Sequence, residues 1–171
     1  MNLSKQIFRS DFFVRAATPA DRDAVWKILL EVIATGEAFV FDPDTPKHEM
    51  LEYWFGSDKY IYVATEGSEI VGSFILKNNQ PGGGSHIANG SYVVAKKHSG
   101  KGIGTAMGEY SLVEARRLGY KAMQFNIVVK SNTQAVKLWQ KLGFNIVGEI
   151  PEAFNHRSNG LTNAYIMYRK L

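Results

Sequence analysis

The feature that most limits how this chain can fold is a glycine-spaced turn, Ser-Gly-Lys-Gly-Ile-Gly at residues 99–104. It is set between an apolar stretch, residues 91–95, and a segment of helical periodicity that begins near Gly102. Helix-connected strands run parallel, so a strand-turn-helix unit implies an α/β arrangement. Three glycines let backbone N–H groups crowd around an anion with no Cβ in the way, and a helix N-terminus adds partial positive charge. The run therefore reads either as a tight connection or as a cradle for a phosphate-bearing cofactor. Its G-x-G-x-G spacing differs from the dinucleotide pattern G-x-G-x-x-G, and no Lys-Ser/Thr pair follows the glycines, which weakens nicotinamide and nucleoside-triphosphate readings.

The remaining elements follow from periodicity. Residues 12–16 read as a strand, and Thr18-Pro19-Ala20-Asp21 reads as a capping box that starts a helix. Val25, Ile28, Leu29, Val32 and Ile33 form that helix's apolar face, and Gly36 stops it. A short helix is expected over residues 46–55 with Thr45 as its cap. Residues 60–65 and 70–76 read as a hairpin, and residues 78–85 as a flexible loop. A strand at 86–94 has Gly90 in its interior, where a bulge or a close backbone approach is expected. The helix after the glycine run has Ile103, Met107, Tyr110 and Val113 inward and ends before Gly119. In the strand at 122–129, Met123, Phe125, Ile127 and Val129 alternate as the apolar face. Ser131 or Asn132 caps a helix whose face is Ala135, Leu138, Trp139 and Leu142, and Gly143 ends it. Residues 144–149 and 164–169 close the sheet as an antiparallel pair, leaving 155–160 as a mobile loop. The order β-α-α-β-β-β-α-β-α-β-β predicts a mixed sheet with helices on both faces, in one domain spanning 1–171.

Residues 92–104 resemble motif A of the GNAT acetyltransferases, Q/R-x-x-G-x-G/A after a strand. Asn132-Thr-Gln-Ala-Val-Lys-Leu-Trp-Gln-Lys-Leu-Gly-Phe144 resembles their motif B, N-x-x-A-x-x-L-Y-x-K-L-G-F. Two motifs in the right order are far more specific than either alone. The resemblance implies the GNAT fold, in which the fourth and fifth strands splay apart. It also implies acetyl-CoA as cosubstrate, its pyrophosphate held by the amides of Ser99, Gly100, Lys101, Gly102, Ile103, Gly104 and Thr105. The pantetheine arm would lie on the backbone of Tyr92, Val93 and Val94, and Asn132 and Trp139 belong to the same cofactor site. Two residues depart from the pattern. Ser99 stands where Gln or Arg is usual, so one phosphate contact is expected either to be weaker or to come from Lys101 or Lys97. Trp139 replaces the Tyr that often protonates the departing thiolate, and an indole N–H is no acid near neutral pH.

A closer resemblance rests on Ala-Asn-Gly at 88–90, Phe-Asn-Ile-Val at 125–128, and Trp139 in place of Tyr. These are similar to the fungal acetyltransferases that act on azetidine-2-carboxylate and other proline analogues. It implies catalytic roles for Asn89, orienting the substrate nitrogen, and Asn126, contacting the substrate carboxylate. The residue-level alternative is that each strand-interior asparagine satisfies local backbone groups. The loop 36–44 carries Phe39, Phe41 and Asp42, an aromatic and acidic set suited to walling in a small cationic amine, or to packing as a connector. Glu31, Glu37, Asp42, Asp44 and Glu109 are the candidate general bases.

Composition excludes other classes. With no cysteine among 171 residues, disulfides, thiolate nucleophiles and cysteine metal sites are ruled out. The four histidines lack metal-ligand spacing, so no metal is expected. A net charge of +4 is spread in short clusters such as Lys96-Lys97-His98 and Arg116-Arg117, a pattern that argues against nucleic-acid binding. Nothing reads as a signal or membrane segment, so a cytoplasmic protein is expected, monomeric or homodimeric. The expected function is acetyl transfer to the amine of a small molecule, such as an amino acid or proline analogue. The alternatives are a peptide or protein N-terminal acetyltransferase and a non-catalytic CoA-binding protein.

Overall fold

A computed structural model describes residues 12–171. The strands are β1 (Phe13–Ala16), β2 (Tyr60–Glu66), β3 (Glu69–Asn78), β4 (Ile87–Val94), β5 (Ala122–Val129), β6 (Asn145–His156) and β7 (Gly160–Lys170). The helices are α1 (Arg22–Ile33), α2 (Lys47–Trp54), α3 (Ile103–Arg117) and α4 (Thr133–Lys141). The strands form one sheet in the order β1-β2-β3-β4-β5-β7-β6. Among the described residues only β4 and β5 pair in parallel, as a crossover through α3 requires; the other pairs are antiparallel. The mixed sheet expected from the sequence is the one observed. No described helix is long and apolar enough to cross a membrane.

Strand alternation sends successive side chains to two cores. On one face Val63, Ile75 and Val93 pack against Val25, Leu29 and Ile33 of α1 and Met50 and Trp54 of α2. On the other, Tyr62, Phe74, Leu76, Met123 and Met167 pack with Ile103, Met107, Trp139 and Leu142 of α3 and α4. Each fully buried large side chain contributes about 1.5–3 kcal/mol of transfer free energy. A chain of buried polar groups links the two cores: the Trp54 indole donates to Ser73 Oγ at 3.0 Å, Ser73 donates to the Tyr62 carbonyl at 2.8 Å, and the Tyr62 hydroxyl donates to Glu114 Oε1 at 2.7 Å.

Several local expectations are corrected. Alternation along β5 holds through Phe125 and then slips by one residue at a bulge before Val128, so Val128 is buried and Ile127 is 38% exposed. β4 runs in unbroken register with β3, so Gly90 marks a close approach and no bulge. A Cβ there would lie 2.9 Å from the Tyr92 ring. Val113 faces solvent, and Leu112 is the buried residue. Thr45 does not cap α2: its hydroxyl donates to the Asp42 carbonyl at 2.6 Å, and Pro46 occupies the cap position. Residues 82–84 form a 3-10 turn within the expected loop. Residues 155–160 are no mobile loop; both strands continue into them, and only 157–159 form the turn. Between Ser131 and Asn132, it is Asn132 that caps α4, its Oδ1 accepting from the Ala135 amide at 3.2 Å.

Candidate active site

The site begins where the sheet opens. β4 and β5 are in register at Ile87 with Ala122 and Ala88 with Met123, and no further. At the vertex the Asn89 side-chain amide donates to the Gln124 carbonyl at 2.9 Å, in place of a ladder bond. Beyond it the bulged β5 turns away, and the two strands enclose a cavity of about 420 Å³. Residues 89–94 of β4 and 125–129 of β5 line it. Backbone groups on the facing edges lack ladder partners across this gap, so a ligand's amides can take them. Trp139, 7% exposed, closes one wall, its ring 4.7 Å from Tyr92 and 4.5 Å from Phe125. The Tyr92 hydroxyl points away into α3, donating to Ser111 Oγ at 2.7 Å, and burial pushes it well above the usual phenol range.

At one end the cavity reaches Val94 of β4 and Asn132 and Ala135 of α4. Five residues after Val94 the glycine turn starts, and it leads into α3. Gly100 and Gly102 have φ of 81° and 88°, the left-handed region, and no atom lies within 4 Å of where a Cβ would stand at either. The first intrahelical bond runs from Ala106 to Gly102, so the amides of Ile103, Gly104 and Thr105 precede the helix ladder. A Cβ on Gly104 would meet Leu138 at 3.3 Å, which seats the turn against α4. The turn does not itself wall the cavity; it adjoins the end lined by α4. These unclaimed amides and bare glycine faces fit a diphosphate.

The turn is braced from behind. His98 is 5% exposed, its Nδ1 lying 3.1 Å from Glu66 Oε2 and 3.3 Å from Lys101 Nζ. Lys97 pairs with Glu69, each shifting the other toward its charged form. Glu31, a candidate base, accepts from the Lys96 amide at 3.1 Å and so closes the 3-10 turn Lys96–His98.

At the other end the loop after α1 covers the cavity with Ala38, Phe39, Val40 and Phe41. Phe41 meets Tyr53 of α2 edge-on at 4.8 Å, and Phe39 lies 6.1 Å from Trp54. The β6–β7 turn supports the loop's base: the Arg157 amide donates to the Gly36 carbonyl at 3.1 Å and its guanidinium to the Ala34 carbonyl at 2.9 Å. Asp42 does not line the cavity; its Oδ1 accepts from the Asp44 amide at 3.1 Å in an exposed turn. Glu37, Asp44 and Glu109 are likewise elsewhere, Glu109 in a surface hollow by the C-terminal ends of α3 and α4.

Asn126 sits in a row of amides, with Gln124 donating to its Oδ1 at 3.0 Å and its own Nδ2 donating to Asn79 Oδ1 at 2.8 Å. Among the described residues lining the cavity there is no carboxylate and no histidine, and Lys77 is the one charged side chain. Lys77, Tyr53, Gln124 and Asn79 were missed from sequence. The signal that finds Lys77 is strand register, which sets it opposite Asn89.

The comparisons with known proteins agree with this arrangement. The model of the acetyltransferase (GNAT) family matches residues 26–144. The N-acetyltransferase aca1 of Schizosaccharomyces pombe is 30% identical over 151 residues, covering 78% of this chain and 72% of that protein. Among solved structures, a GCN5-related N-acetyltransferase from Kribbella flavida superposes with a TM-score of 0.90 at 36% identity, over 94% of this chain and 98% of that one. A GNAT superfamily phosphinothricin acetyltransferase from Sinorhizobium meliloti, solved in complex with AcCoA, superposes at 0.82 with 21% identity, over 94% and 89%. A forked parallel pair, a glycine-flanked helix start beside the fork, and a family match that spans both make this chain a member of the GNAT family of acetyltransferases.

Proposed function

We propose that this N-acetyltransferase acts on the amine of a small molecule of amino-acid type, the class to which proline analogues belong. Acetyl-CoA is the acetyl donor, and when bound it supplies the acetyl group as a thioester. The amides of Ile103, Gly104 and Thr105 would hold its diphosphate, whereas those of Ser99 and Lys101 donate to the Lys96 and His98 carbonyls; the open edges of Tyr92–Val94 would hold its pantetheine arm. Asn132 and Trp139 shape the adjoining wall.

The observation that carries the reading is the aromatic wall of the acceptor end. Phe39, Phe41 and Tyr53 narrow it, and the Arg157 contacts hold the loop down, so it suits a free small amine better than an extended peptide. Asn89, whose Nδ2 is committed to Gln124, has its Oδ1 to accept an N–H of the acceptor and aim the lone pair. Asn126 and its row of amides supply hydrogen bonds to the acceptor's other polar group. With no carboxylate or histidine lining the site, the amine enters as the free base.

The test follows thiol release from acetyl-CoA with free amino acids, simple amines and peptides as acceptors. Transfer to free amino acids is expected. Asn89→Ala and Asn126→Ala should each lower kcat/KM at least about tenfold, the scale of a positioned hydrogen bond, while CoA still raises the melting temperature. Turnover confined to peptides would overturn the small-molecule reading.

A further inference from the structure

Lys77 is the residue in the cavity that the reading above leaves unused. It ends the apolar run of β3 on the α1–α2 side of the sheet, the side that carries the aromatic loop. Strand register sets it directly across from Asn89, at a spacing where Cβ atoms lie about 5 Å apart. Its ammonium is 5.4 Å from the Tyr53 ring centroid, so the side chain leans toward α2 and the acceptor end. Among the described residues no carboxylate lies within ion-pair distance of it, whereas Lys59, over the same Tyr53 ring, pairs with Asp58. Lys77 is also only partly exposed.

Asp58, whose carboxyl Lys77 helps to hold in its charged form, is bonded to Lys59 instead; a partly buried ammonium with no direct ion pair, on the wall of a mostly apolar cavity, is an anion site. Its partner is the ligand. We infer that Lys77 binds a carboxylate of the acceptor, which makes the substrate class an amino acid whose carboxylate is free. This rests on the small-molecule reading and narrows it. Register sets Lys77 and Asn89 side by side on adjacent strands, so one small acceptor can address both, carboxylate on Lys77 and nitrogen on Asn89. The same positive charge disfavours an ammonium at the acceptor end, so it selects the neutral amine that attack requires. Simple amines lack the anion. A peptide presents its carboxylate far from its N-terminus.

The experiment compares matched acceptors, free α-amino acids and the corresponding C-terminal amides, in the wild-type protein, Lys77→Met and Lys77→Arg. Met keeps the aliphatic stem on Tyr53 and removes the charge. The wild type should prefer the acid, and Lys77→Met should lower the acid-over-amide ratio of kcat/KM by about tenfold or more, mainly through KM. Lys77→Arg should restore most of the ratio. CoA-induced melting shifts, equal in all three proteins, establish that the variants are folded and bind donor. A wild type that uses acid and amide equally, or a Lys77→Met variant that keeps the ratio, overturns the assignment of Lys77 while the small-molecule reading stands. Turnover of peptides alone would instead remove the reading beneath it.

Discussion

Replacing Gly90 with alanine tests whether the cavity wall is as tightly fixed as its packing implies. The new Cβ would stand 2.9 Å from both Cε2 and the hydroxyl oxygen of Tyr92 and 3.2 Å from Cζ, where ordinary contact begins near 3.4 Å. The ring must retreat by roughly half an ångström. Its neighbours oppose that: Phe74 stacks at 5.3 Å, Trp139 lies at 4.7 Å, Phe125 meets it edge-on at 5.9 Å, and Ser111 holds the hydroxyl at 2.7 Å. Overpacking of this kind costs about 1–3 kcal/mol. Alanine in place of glycine returns about 0.5 kcal/mol through the unfolded chain. The net loss is roughly 1–2 kcal/mol, a fall in Tm of about 2–8 °C for a chain this long. Calorimetry of Gly90→Ala measures it, with Gly83→Ala as the control, since a Cβ at Gly83 meets nothing within 4 Å. A double-mutant cycle with Tyr92→Leu should show Gly90→Ala costing little once the ring is gone. A Tm within 1 °C of wild type would refute the claim that the Tyr92 ring is immobile.

Two further outcomes are expected. Asp21 accepts two guanidinium hydrogen bonds from Arg15, at 2.7 and 2.9 Å, and one from the Thr18 amide at 2.7 Å, which together hold its carboxyl at about 2, below the usual 3.8. A depressed value stabilises the fold above pH 4, and the benefit is lost as pH falls from about 4 to 2. Because Arg15 is partly exposed, the stake is roughly 1–2 kcal/mol. Urea midpoints at pH 5 and pH 2.5 should differ less for Asp21→Asn than for wild type, and an equal difference in both would count against the pairing. Gly102→Ala forces a Cβ into φ of 88°, at a cost of about 1–2 kcal/mol. It should weaken CoA binding severalfold by titration calorimetry, and unchanged affinity would remove the turn from the donor site.

Much of the fold was legible because its signals are local. The apolar face Val25, Ile28, Leu29, Ile33 is set by helix geometry, and all four are buried as their spacing requires. Errors arose where a longer-range interaction decides. Ile127 and Val128 exchange places because of a bulge that serves the fork, and alternation has no means of announcing an extra residue. Thr45 has the chemistry of a cap, but its hydroxyl is taken by the Asp42 carbonyl. At the site, the glycine turn and the asparagines stand out by residue type. Lys77 does not, since at the end of the run Ile-Val-Gly-Ser-Phe-Ile-Leu it reads as a solvated flank, and only pairing with β4 reveals its neighbour. Asp42 has the opposite history, conspicuous in sequence and turned outward by its own Asx turn.

The sheet order has a consequence for how the molecule is made. β7, made after the other six strands of this sheet, is wedged between β5 and β6. Until it arrives, β5 has a bare margin and β6 has nothing to zip onto, so a nascent chain carries a sticky, half-built platform for as long as translation of that segment takes. The Arg157 clasp on Gly36 and Ala34 waits on the same event, because it hangs from the turn between β6 and β7. The loop that covers the cavity is thus anchored last, and a chain stalled before β7 has the glycine turn but no clasp on that loop.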